Sequence, residues 1–185
     1  MDTHPKESHQ ALHAICYYPK LTFESQRNGE TVILVLRKHP ITQLPWLLNV
    51  LILVFLSIVV DIFLLRYFST GQFIVFNLFA AFFTFSYAWL NFLLWVYNVG
   101  IVTTQRVIDI DFHNILYKEF SAANNEKISD VTAQIGGYLG SLFQYGDVFV
   151  KTEGFEQNIE FMDIPQPSNV ANIINELIRD SDKKP

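Results

Sequence analysis

A long stretch without charge constrains this chain more than any other feature of its sequence. No Lys, Arg, Asp or Glu occurs between Arg66 and Arg106, and Asp61 is the only charged residue between Lys38 and Arg66. A chain can leave so many consecutive residues uncharged in the core of a large domain or in a lipid bilayer. Too few residues remain outside this stretch to build such a domain around it, so the sequence predicts a membrane protein.

Two segments within this stretch, residues 44–65 and 73–96, are nearly all apolar. The first would be about 33 Å long as a helix, which is enough to cross the hydrocarbon core. The link at residues 66–72 is short and polar and contains Gly71. Two spans joined so closely must be antiparallel neighbours, so we expect a transmembrane helical hairpin.

Basic residues flank the hairpin unevenly. Arg27, Arg37 and Lys38 precede the first span and Arg106 follows the second, whereas the link offers only Arg66. Because basic residues favour the cytoplasmic side of a membrane, we expect both termini to be cytoplasmic and the link to be extracytoplasmic.

Polar residues inside the spans are few and regularly spaced. They are Asn49, Ser57 and Asp61 in the first span and Asn77, Thr84 and Asn91 in the second. Steps of four and seven keep each set on one helix face. We therefore expect them to pack the hairpin, with Asp61 opposite Asn77 and Asn49 opposite Asn91. An intramembrane acid is also a candidate proton or ion site, but the spans hold no second ionisable group to form a relay.

The apolar period changes from helical to two after the second span. Alternating segments separated by turn signals occur at residues 107–112, 115–120, 128–135, 147–152 and 158–162. This pattern predicts an antiparallel sheet folded on itself, with a glycine-containing loop at residues 137–146.

The last predicted element is an amphipathic helix. Pro165 and Pro167 precede it, which is typical of a helix start, and Ser168 is the candidate cap. Its apolar residues follow the spacing i, i+3, i+4, i+7, i+8, at Val170, Ile173, Ile174, Leu177 and Ile178. We expect this helix to close one open end of the sheet. The fold class is therefore membrane α+β.

The predicted organisation has seven parts. They are a disordered tail at 1–17, a juxtamembrane segment with a short strand at 18–43, the first span at 44–65, the link at 66–72, the second span at 73–96, a β domain at 97–180 and a tail at 181–185.

Residues 102–108, 127–131 and 137–148 together resemble the bacterial pleckstrin-homology-like (PH-like) membrane proteins, in which a helix pair precedes a small barrel; residues 28–40 resemble the family's entry into its first helix. The resemblance implies a bent antiparallel barrel closed by the C-terminal helix, in a non-catalytic module of the bacterial inner membrane. Ser129 departs from the pattern, where Gln is usual. The motif positions, with an implied structural role, are Thr104, Arg106, Ile128, Val131, Gly137, Leu139, Gly140, Leu142, Tyr145 and Gly146.

The sequence carries no recognisable catalytic or cofactor chemistry. The segment 137–146 lacks the Gly-Lys-Ser/Thr ending of a phosphate loop, and no Gly-x-Ser-x-Gly or His-Glu-x-x-His motif occurs. The single cysteine, Cys16, pairs with no metal-type partner. We therefore expect no enzyme activity, cofactor or metal site.

Charge argues against two classes of partner. From Gly100 onwards, thirteen acidic residues stand against seven basic ones. Nucleic acids and phosphoinositides are bound through clustered positive charge, so neither is expected. We expect contact with membrane lipids through the two spans and with a protein partner or a second copy. The alternative is an oligomeric membrane component that handles lipid or solute through the hairpin.

Overall fold

The chain forms two compact units in a computed structural model. The β unit consists of Met1–Pro40 and Val96–Pro185, and the hairpin unit consists of Ile41–Trp95. The side chains of residues 112–119 lie outside the description that follows. Residues 1–13, predicted as disordered tail, are outside it too. The residues whose structure is described are 14–19, 21–23, 25–64, 66–114, 117–153 and 158–181.

Two long helices, α1 (Leu44–Leu64) and α2 (Thr70–Tyr97), follow a 3₁₀ helix at Pro40–Gln43. Both are long and apolar enough to cross a membrane, and neither contains a buried residue. The prediction of two long apolar helices is confirmed. α2 begins earlier than expected because the Ser69 N–H donates to Gln72 Oε1 at 3.0 Å, which is one half of a capping box.

A five-stranded antiparallel sheet organises most of the β unit. The strands lie in chain order across the sheet. They are β1 (Ile15–Tyr17), β2 (Val32–Leu36), β3 (Val99–Thr103), β4 (Arg106–Asn114) and β5 (Tyr117–Asn124). Residues 15–17, placed in the tail by the sequence, therefore form an edge strand.

The helices are inserted between two neighbouring strands of this sheet. β2 pairs with β3 across the insertion, with Leu36 opposite Gly100. All five residues of β2 are buried, so the predicted juxtamembrane strand is a core strand of the β unit. Because β2 and β3 are antiparallel neighbours, the chain leaves the sheet and returns to it at the same end.

A second antiparallel sheet completes the β unit. It contains β6 (Ile128–Gln134), β7 (Tyr145–Thr152) and β8 (Ile159–Pro165), in that order. The short helix α3 (Gly137–Phe143) connects β6 to β7, where a loop was predicted. The final helix, α4 (Pro167–Ser181), packs on β6 and β7.

One apolar core joins both sheets and α4, but the sheets do not close into a barrel. The core includes Leu34 and Val102 of the first sheet, Val148 of the second, and Val170 and Ile174 of α4. The expected barrel is thereby corrected to two antiparallel sheets, separated where a 3₁₀ turn at Asn125–Lys127 follows β5.

The apolar stripe predicted for α4 is the face that it buries. Ile173, Leu177 and Ile178 pack against the core beside Val170 and Ile174. Pro167 is the first helical residue, a position where its missing N–H costs no hydrogen bond. Ser168, predicted as the cap, lies inside the helix.

Candidate functional site

The motif arginine, Arg106, forms a buried ion pair with Glu30. Its Nε lies 2.9 Å from Glu30 Oε1, and its Nη2 donates to Ser25 O at 2.6 Å. Glu30 Oε1 also accepts from Thr103 Oγ1 at 2.8 Å, and Oε2 accepts the Arg27 N–H at 2.7 Å. Burial by itself would raise the pKa of Glu30, but the hydrogen bonds from Arg106, Arg27 and Thr103 hold that pKa below its usual value.

This ion pair fastens two distant parts of the β unit. It joins the segment before β2 to the turn that follows β3, and Thr104 adds to the connection by accepting the Thr31 N–H at 3.2 Å. Glu30 is 3% exposed and Arg106 is 8% exposed. Because both charges are paired and withdrawn from solvent, removing either partner would leave a buried charge at a large cost in stability, and the cluster offers little to a ligand.

The remaining motif residues lie around α3. Gly137 has φ +67°, a conformation that favours glycine. A Cβ on Gly146 would lie 2.2 Å from Gln134 O, so β7 can approach β6 this closely only with glycine there. Upstream, Ile128 is buried and Val131 packs against the core.

The apolar side chains of α3 point away from the core. Tyr138 is 97% exposed, Leu142 is 73% exposed and Leu139 is 59% exposed. We call this surface the α3 patch; its members are Ile135, Tyr138, Leu139, Leu142 and Phe143, all exposed. The motif leucines are therefore not packing residues of the β unit, although the sequence predicted a structural role for them.

Tyr145, the first residue of β7, connects the end of α3 to the residue before Pro40. Its ring stacks on His39 with centroids 5.5 Å apart, and the His39 N–H donates to Asp163 O at 2.7 Å. Burial lowers the pKa of His39. Burial also raises the pKa of Asp163, with a further contribution from Asp147, while Lys38 opposes the rise.

In the hairpin unit, the polar residues of α1 and α2 meet in an open groove. Asn77 Nδ2 donates to Asp61 Oδ1 at 3.0 Å, as the spacing predicted for this pair. The groove has a volume of about 460 Å³. Its polar and small lining residues are Ser57, Asp61, Asn77, Ala80, Ala81, Thr84 and Ala88.

The second predicted pair does not form. Asn49 Nδ2 contacts the Tyr87 hydroxyl at 3.3 Å, and Asn91 Nδ2 donates to the Tyr87 carbonyl one turn earlier in its own helix. Asn49 and Asn91 were predicted to meet because they lie at similar depth along the hairpin, but each of them contacts Tyr87 instead. The sequence did not indicate this contact of Tyr87, because a tyrosine in an apolar helix is also typical of an anchor at the membrane interface.

The Glu30–Arg106 ion pair is buried, whereas the groove between α1 and α2 is open. Within the described residues, no group of three or more His, Cys, Asp or Glu side chains is arranged to hold a metal ion. The groove and the α3 patch remain as exposed surfaces. The groove combines small polar groups with apolar side chains, whereas the α3 patch is apolar.

Comparison with known proteins identifies no relative. No protein-family model matches the chain, and neither a curated protein nor a solved structure shows significant similarity to it. The PH-like resemblance therefore enters the functional argument as a proposal.

Proposed function

We propose that this chain is an integral membrane protein whose hairpin anchors a non-catalytic, PH-like β unit at the cytoplasmic face of a bacterial cell membrane. There it acts as a subunit of a larger protein assembly. The observation that carries this proposal is the open groove between α1 and α2, in which polar side chains lie among apolar ones. The polar side chains are Ser57, Asp61, Asn77 and Thr84.

In a bilayer, this groove needs a partner. Asp61 and Asn77 contact each other, yet the groove around them stays open. Hydrocarbon offers no hydrogen bonds to polar groups, whereas another helix does. Ala81, Thr84 and Ala88 line the groove with small side chains, which allow a further helix to approach closely.

The placement of the β unit on one side of the membrane is supported by chain connectivity. Leu36 and Gly100 are paired neighbours at the end of the sheet where the chain leaves and returns, so both ends of the hairpin are on the same side. Arg37, Lys38 and Arg106 flank those ends, and Arg66 alone lies in the link. The positive-inside rule then assigns the β unit to the cytoplasm.

The open sheets support protein contact by the β unit as well. β1 and β5 are at the two edges of the first sheet, and β6 and β8 are at the edges of the second. An edge strand can pair with an extended segment of a partner through backbone hydrogen bonds. β5, with eight residues, is the longest of these strands.

The proposal is tested by crosslinking the full chain in native membranes. A cysteine is placed at Thr84 in the groove, in a Cys16→Ala background, and a matched cysteine is placed at Phe83, which is 64% exposed and outside the groove lining. We expect Thr84→Cys, and not Phe83→Cys, to form a defined crosslinked species when the cysteine carries a short photoactivatable crosslinker, because only the groove is covered by protein.

A second variant examines the role of the groove carboxylate. Asp61→Leu should weaken the Thr84 crosslink by removing the polar contact, whereas Phe63→Leu, at a position 72% exposed outside the groove, should leave it unchanged. Equal crosslinking at positions 83 and 84, or none at either, would contradict assembly through the groove.

The alternative function, handling of lipid or solute through the hairpin, is favoured by one observation: Asp61 lies in the lining of the groove. In that case Thr84→Cys should react with a small water-soluble thiol reagent in intact membranes and should not crosslink. In the assembly that we propose, a partner helix shields the same cysteine from the reagent.

A further inference from the structure

The α3 patch gathers five exposed apolar side chains within nine residues of the β unit, from Ile135 to Phe143. Residues 131–146 contain no charged residue, and Tyr138, Leu139 and Leu142 are each more than half exposed. Exposed apolar surface of this kind marks a contact with protein or membrane.

The fold holds α3 in place while its side chains face outward. Gln144 ends the helix in the left-handed conformation, with φ 54°. Its N–H donates to Gly140 O, and its carbonyl accepts the Gln166 N–H at 2.8 Å. Gly140 is packed so tightly that a Cβ there would lie 3.0 Å from Tyr145 O. The patch is therefore a built surface and not a collapsed loop.

The position of α3 within the β unit indicates its partner. Tyr145, two residues after the end of α3, stacks on His39, and His39 directly precedes the 3₁₀ helix Pro40–Gln43 that leads into α1. A four-residue 3₁₀ helix rises roughly 8 Å. In the covalent chain, only the four residues Pro40–Gln43 separate His39 from the first residue of α1.

The composition of the patch matches the boundary between lipid headgroups and acyl chains. Leucines and isoleucine gain from leaving water, and aromatic rings such as those of Tyr138 and Phe143 favour the headgroup level. The segment has no Lys or Arg, so attraction to anionic headgroups contributes nothing to its binding.

We propose that α3 is an interfacial anchor. It inserts the α3 patch into the membrane leaflet in which α1 begins and α2 ends. This contact holds the β unit against the membrane surface in addition to the covalent link. The inference rests on the proposed membrane location of the hairpin. Because the contact is apolar, it is independent of lipid charge and of salt.

The test uses the full chain in phosphatidylcholine vesicles, with single cysteines carrying an environment-sensitive fluorophore in a Cys16→Ala background. Probes are placed at Tyr138 and Leu142. The matched control is Glu126, which is exposed in the 3₁₀ turn before β6. Glu126 borders the same cleft as Thr104, and Thr104 follows the end of β3 that is farther from α2. A fourth probe at Phe83 reports whether α2 is in the bilayer.

We expect the probes at 138 and 142 to show a blue-shifted emission and to lose most of their fluorescence when the lipids carry brominated chains. The probe at 126 should show neither change. Replacing part of the phosphatidylcholine with phosphatidylglycerol, or raising the salt concentration, should leave the quenching unchanged.

Quenching at 83 without quenching at 138 and 142 would overturn the anchor and leave the membrane location intact. If those two probes were then blue-shifted without quenching, the patch would be a protein contact. Absence of quenching at 83 would instead overturn the membrane location, and the anchor with it. Quenching that depended on phosphatidylglycerol would contradict the apolar mechanism.

Discussion

Each unit contains a carboxylate that accepts a hydrogen bond from a side-chain nitrogen. The two carboxylates differ in how fully the surrounding residues enclose them. In the β unit, Glu30 is 3% exposed and accepts hydrogen bonds from Arg106, Thr103 and the Arg27 backbone. In the hairpin unit, Asp61 accepts from Asn77 and lines an open groove. The β unit surrounds its buried charge with its own residues, whereas the groove beside Asp61 is open.

The same contrast occurs between two helices of the β unit. α4 packs on β6 and β7 and buries its apolar stripe in the shared core, with Val170 and Ile174 almost fully withdrawn from solvent. α3 presents Leu139 and Leu142 outward. Apolar residues that stabilise the fold and apolar residues available for contact are thus separated, and substitutions can test each class on its own.

The largest expected effect comes from breaking the buried ion pair. Arg106→Ala leaves the Glu30 carboxylate buried without its cation, which costs about 3–5 kcal/mol of unfolding free energy. The single cysteine, Cys16, is buried in β1, so its labelling rate across a denaturant series reports opening of the β unit in the full chain.

Arg27→Ala is the matched control for this loss. Arg27 is exposed, and its side chain contacts Asn124 at 3.1 Å; its removal should change stability by less than about 0.5 kcal/mol. If the β unit opened at the same denaturant concentration in Arg106→Ala and Arg27→Ala, the ion pair would not hold the segment before β2 against β4.

The next largest effect separates α4 from α3. Ile174→Ala removes a side chain that is 1% exposed in the core and should cost about 2–5 kcal/mol. Leu142→Ala removes a side chain that is 73% exposed and should change the stability of the detergent-solubilised chain by less than about 0.5 kcal/mol. Similar losses in the two variants, measured by Cys16 labelling, would show that the α3 patch is part of the core.

Local patterns in the sequence predicted much of this fold. The two apolar helices, the alternating strands and the stripe of α4 each follow from the period of neighbouring residues. The start of α2 was missed although the signal was present, since Ser69 and Gln72 have the spacing of a capping box.

The contacts that the sequence did not predict are distant in the chain. Glu30 and Arg106 are 76 positions apart, with the whole hairpin between them, and β2 reaches its neighbour β3 across the same insertion. No periodicity reports such pairings. Likewise, the apolar residues of α3 have the composition of core residues, and only the backbone path around Gly140 and Gly146 turns them outward.

The smallest expected effect is a pH dependence at the corner where the β unit meets the start of the 3₁₀ helix. Burial lowers the pKa of His39 below 6.5 in the folded chain, so the unfolded chain binds the proton more readily. The stability that His39 contributes is therefore present above about pH 6.5 and is lost as the pH falls through the lower, folded pKa. The groups around it are Tyr145, Asp163, Asp147 and Lys38.

Asp163 contributes with the opposite sign. Its pKa is raised above 3.8, so its contribution is present at lower pH and is lost as the pH rises through the folded pKa. His39→Phe keeps an aromatic ring against Tyr145 and removes the titration of the histidine. When the pH falls from about 7.5 to about 5.5, the unfolding temperature followed by circular dichroism should fall more in the native chain than in His39→Phe. An equal change of the unfolding temperature in both chains would assign the pH dependence to the carboxyl groups and not to His39.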